Sequence, residues 1–78
     1  MTKRDKMMKK AESNPNGLRF SEFETLLEQQ GWQLDRQKGS HRIWKSAKGT
    51  PLPIQEGKSG KAKGYQVKQF LSILEDEA

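Results

Sequence analysis

Seventy-eight residues allow one domain and no second, and an apolar content of 31% limits it to a small, marginally stable core. There is no cysteine, so neither a disulfide nor a thiolate metal site is available, a usage that fits a reducing compartment. No apolar run reaches membrane-span length and the N-terminus lacks the apolar stretch of a secretion signal, so a cytoplasmic protein is expected.

The net charge of +5 is unevenly spread. From Arg36 to Lys68 nine cations stand against one acid, Glu56, while acids gather in the first strong helix and the tail Glu75-Asp76-Glu77. A basic middle between acidic helices is an electrostatic footprint for a polyanion; the alternative is a merely solubilising surface.

In chain order, residues 1–17 read as an N-terminal helix or arm with its linker, and residues 18–78 as the domain. Lys3 to Glu12 is polar with a narrow stripe of Met7, Met8 and Ala11, which suits either an accessory helix or a frayed arm. The turn formers Ser13-Asn14-Pro15-Asn16-Gly17 end it. A firm helix follows from Ser21, where Ser21 and Glu24 have capping-box spacing. Phe23, Leu26 and Leu27 line one face, Phe20 sits just ahead of the cap, and Gly31 supplies the left-handed stop.

Gly31 to Trp44 reads as a hairpin that holds the only histidine, His41. A two-residue loop at Lys38-Gly39 would pair Leu34 with Ile43 and put His41 on the core face. A three-residue loop, Lys38-Gly39-Ser40, would pair Leu34 with Trp44, bury both tryptophans and Leu34, and leave Gln33, Asp35, Gln37, His41 and Ile43 on the open face. The second register removes more apolar area from water and is the expected one.

A third strand, Pro51 to Gln55, has Leu52 and Ile54 on one face, and its two prolines make it a sheet edge. Gly57 to Gly64 is a mobile basic loop by composition; it lacks the order of a nucleotide-binding loop and suits contact with a nucleic-acid backbone. A last helix, Tyr65 to Leu74, carries Val67, Phe70, Leu71 and Leu74 at helical spacing. The expected class is α+β: an α-β-β-β-α domain with an antiparallel three-stranded sheet and two helices on one face. Such an arrangement is like a small double-stranded-RNA-binding domain.

Gly31-Trp32, the run Arg36-Gln37-Lys38-Gly39-Ser40-His41-Arg42-Ile43-Trp44 and Gly60-Lys61-Ala62-Lys63-Gly64-Tyr65-Gln66-Val67 resemble the HicA (YcfA-like) family of mRNA interferase toxins. The resemblance spans roughly residues 18 to 75. It implies metal-independent cleavage of mRNA without a cofactor, a catalytic histidine matching His41, and a HicB-like antitoxin that covers the site. Many relatives carry a second histidine next to the first or after the third strand. This chain has Arg42 and Gln55-Glu56 there, so His41 would act without a second imidazole.

A metal-free ribonuclease needs a base for the 2′-hydroxyl, charge stabilisation and a proton source, and an imidazole of pKa about 6.5 suits the first role or the last. Arg36, Lys38 and Arg42 are close enough in sequence to crowd one phosphate. The expected RNA contacts are these three with Ser40 and Lys45 from the hairpin, and Lys58, Lys61 and Lys63 from the loop. With one histidine and no cysteine, no zinc site is expected. A non-catalytic RNA-binding module on the same basic face is the alternative, and an acidic protein partner a third.

Overall fold

The computed structural model describes residues 3–78; the first two residues of the segment 1–17 lie outside the described residues. Helix α1 spans Lys3–Ser13 and leads through a single 3-10 turn at Pro15–Gly17 into α2, Phe20–Gln29. Strands β1 (Gln33–Lys38), β2 (His41–Lys45) and β3 (Pro51–Gln55) form an antiparallel meander in that order. Helix α3, Gly64–Asp76, closes the chain. The α+β architecture and its double-stranded-RNA-binding-like order are as expected, with α1 as an added helix. No helix among the described residues is long and apolar enough to cross a membrane.

The core follows from helical spacing. Phe20, Phe23, Leu26 and Leu27 of α2 and Val67 and Phe70 of α3 are buried against Trp32, Trp44, Leu52 and Ile54. Phe70 meets Phe23 and Trp32 edge-on, at centroid distances of 5.8 and 5.4 Å. Helix α1 rests on this layer as a packed element, not a frayed arm. Ala11 is fully buried and Met7 and Met8 lie against the core.

The cap of α2 differs from the Ser21/Glu24 expectation. The helix begins one residue earlier, and Glu22 Oε1 accepts the backbone N–H of Arg19 at 2.9 Å. Lys10 Nζ reaches both Glu22 carboxylate oxygens, at 3.1 and 3.2 Å, and so ties α1 to the same cap. The Arg19 N–H above all, with help from Lys10, lowers the Glu22 pKa. A lowered folded-state pKa stabilises above the unfolded carboxyl's range and is lost as pH falls through the lowered value. Glu22→Gln is therefore expected to cost about 0.5–1 kcal/mol at neutral pH and to flatten the acid side of the stability curve. Urea melts at pH 7 and pH 3 check both; equal losses at the two pH values would refute the capping role.

The hairpin also differs in its turn. Lys38 pairs with His41, so the loop is the two residues Gly39-Ser40, and Asp35 is an extra residue bulged between Leu34 and Arg36. Gly39 has φ +58°, as glycine has at the first position of a II′ turn. A one-residue bulge and a loop one residue shorter compensate, so Leu34 still pairs with Trp44. Both tryptophans are buried as expected, but Leu34 is 47% exposed. The reason is layer width: all six residues of β1 are exposed, so the helices leave that strand uncovered.

On β3, the Gln55 N–H donates to Gln66 Oε1 at 3.0 Å, away from β2. Pro51 and Pro53 share its parity, so their nitrogens also face the outer edge, where no donor is needed. The basic loop is tied down rather than loose. The N–H of Gly57 donates to the Lys61 carbonyl at 2.7 Å, that of Ala62 to the Leu18 carbonyl at 2.9 Å, and Ala62 is buried.

Candidate nucleic-acid interface

Strand parity sorts the expected site residues onto two faces of the sheet. Trp44, Leu52 and Ile54 point to the helices, so His41, Ile43 and Lys45 of β2 point to the open face. Directly opposite residues share a face, which places Lys38 beside His41, Arg36 beside Ile43, and Gln55 and Pro53 on their other side. The Asp35 bulge is what turns Arg36 outward. His41 is exposed, at the end of β2 next to the turn.

Arg42 stands apart from the expected cluster of cations. It shares the parity of Trp44 and lies on the helix side, where Nη1 donates to Glu24 Oε1 at 2.5 Å. Its guanidinium also stands 5.3 Å from the centre of the Phe20 ring. Arg42 therefore does not join Arg36 and Lys38 around one phosphate; it pins β2 to the start of α2. Arg42→Ala is expected to cost about 1–3 kcal/mol of stability through the lost charged hydrogen bond and cation–π contact. RNA affinity of the folded variant should stay near wild type, and loss of affinity with unchanged stability would contradict this assignment.

The open face is electrostatically divided. At the end away from the hairpin turn, Asp35 sits 3.1 Å from Arg36 and 3.7 Å from Lys45, which offsets both cations. At the His41 end, Lys38 has no ion-pair partner among the described residues. Lys63 is brought to the same end from the loop. Its Nζ donates to Gln55 Oε1 at 3.0 Å, and Gln55 Nε2 donates to the Ser40 hydroxyl at 2.9 Å. Lys58 and Lys61 are exposed on the loop that leaves this end of the sheet, without a contact that draws them onto the face. Gln55 and Gln66 are the organising residues the sequence reading missed. A usable signal existed for Gln55, since it follows Pro51 and Pro53 in parity and must send its N–H outward too.

The hollow of about 520 Å³ lined by Met8, Leu71 and Leu74 belongs to the helical layer and not to His41. The site is an open surface, suited to a polymer laid across it more than to an enclosed small molecule. Ile43 and Pro53 give it an apolar floor and the cations give it a rim. Among the described residues no group of His, Cys, Asp and Glu could hold a metal ion.

Comparison with known families agrees with the fold. A family model described as "HicA toxin of bacterial toxin-antitoxin" matches residues 20–75. No curated protein and no solved structure matches the chain. The matched span runs from the start of α2 nearly to the end of α3, so it contains the whole sheet, His41 and the basic loop. The chain belongs to the HicA family, the toxins of bacterial toxin–antitoxin systems.

Proposed function

We propose that this toxin is a metal-independent endoribonuclease that cleaves mRNA across the open sheet face, with His41 as its general base or acid. The observation that carries the reading is the position of the sole imidazole. It is exposed on the outward face, beside Lys38 and at the end to which Gln55 draws Lys63.

In such a cleavage His41 takes the proton of a 2′-hydroxyl, whose oxygen attacks the adjacent phosphorus. The bond to the 5′-oxygen breaks and that oxygen takes a proton from water or a nearby cation. The products are a 2′,3′-cyclic phosphate and a 5′-hydroxyl end. Lys38 and Lys63 are the groups available to stabilise the charge that grows on the phosphoryl oxygens. A HicB-like antitoxin would silence the toxin by covering this face, meeting its cations with acids.

The test is a cleavage assay on long single-stranded RNA in excess EDTA, with fragment ends analysed. Fragments with cyclic-phosphate ends are expected. RNA bound but left intact would reduce the protein to a binding module on the same face.

A further inference from the structure

The hairpin turn and the basic loop meet through one side chain. Gln55 lies directly opposite His41, and its N–H goes to Gln66 rather than to β2. The His41–Gln55 pair is therefore of the non-hydrogen-bonded kind, whose side chains run closest, with Cα atoms about 4.5 Å apart. An ammonium can only donate, so Gln55 Oε1 must face Lys63 and Nε2 must face Ser40.

We propose that Gln55 is a positioning residue that assembles Ser40 and Lys63 into a phosphate clamp beside His41. This rests on the RNA-cleaving reading above. The Ser40 oxygen accepts from Gln55, so its own hydrogen stays available to donate. Lys63 spends one of its three N–H groups on Gln55 and keeps two, and Gln55 Nε2 keeps its second hydrogen. Donors from a turn, a strand end and a loop are thus strung along one amide on the face beside His41. The acid on this face, Asp35, is engaged at the other end by Arg36 and Lys45. Without Gln55, Lys63 is a long flexible chain with no fixed place, and the clamp loses its geometry.

The experiment compares single-turnover cleavage, RNA affinity and thermal midpoint for wild type, Gln55→Ala, Lys63→Ala and the double variant, with Gln55→Glu added. The bond from the Gln55 backbone N–H to Gln66 does not involve the replaced side chain, so the thermal midpoint should stay near wild type. Gln55→Ala and Lys63→Ala should each slow cleavage about tenfold or more, and the double variant should be slower than Lys63→Ala alone, through the lost support of Ser40, but by clearly less than the product of the two single losses. Gln55→Glu keeps an acceptor for Lys63 but sets a negative charge in the clamp, so it should be slower than Gln55→Ala. A wild-type rate in Gln55→Ala, or fully additive losses in the double variant, would overturn the proposal. Failure of the underlying reading looks different: wild type itself leaves RNA uncut. The clamp is then read from affinity, and equal RNA binding by wild type and Gln55→Ala would sink it.

Discussion

His41→Ala is expected to leave RNA bound but uncut, with cleavage slowed by about 10²–10⁴-fold, the usual contribution of a positioned acid or base. The side chain is exposed at the start of β2 and has no hydrogen bond or ion pair to another side chain among the described residues, so its removal should change stability by no more than about 0.5 kcal/mol. Affinity should barely move, because backbone binding comes from cations that displace counterions. The salt dependence of binding should also match wild type, whereas removing a lysine that contacts phosphate lowers its slope by about 0.7–1. The measurements are single-turnover cleavage in EDTA, binding across a salt series and a thermal melt. Cleavage by His41→Ala at the wild-type rate would remove His41 from the chemistry.

Apolar spacing made the helices legible, because Phe23, Leu26, Leu27, Val67 and Phe70 have no stable place except a shared core. The edge character of β3 was legible from proline chemistry alone. The cap of α2 was not. Two overlapping pairs, Arg19 with Glu22 and Ser21 with Glu24, offer an acid at the same offset. Burial of Phe20 and the capture of Glu24 by Arg42 from β2 decide between them. Those are tertiary facts, invisible to a local motif.

The hairpin shows the same limit in another form. A short turn with a bulge and a longer turn without one predict the same partner for Leu34, so pattern at the tryptophan end cannot separate them. They differ at Arg36, which only the bulge brings to the open face. For Arg42 the parity with Trp44 was already a warning, and nearness in sequence to His41 was the wrong guide. Residues adjacent along a strand face opposite ways. The candidate site was thus half legible: its histidine and its charge could be read, but not which cations attend it.

Phe70→Ala is expected to cost about 3–5 kcal/mol of stability. Phe70 is fully buried and stacks edge-on against Phe23 of α2 and Trp32 at the approach to β1, with interplanar angles of 71° and 64°. One ring thus joins α3 to both the other main helix and the hairpin. A domain of this length has a total stability of only about 4–12 kcal/mol, so the loss is a large share of the whole. The melting point should fall by roughly 12–40 °C, and Phe70→Leu, which keeps most of the volume, should fall between wild type and alanine. A loss under about 1 kcal/mol in a urea melt would show that the helices are held by something other than this cluster. Cleavage by Phe70→Ala should decline with the folded fraction and recover on cooling or under mild stabilising osmolyte. His41→Ala should recover under neither, since its fold was never the fault. The pair therefore separates what the aromatic cluster does, which is to hold the sheet flat against the helices, from what the outward imidazole does on the other side of that sheet.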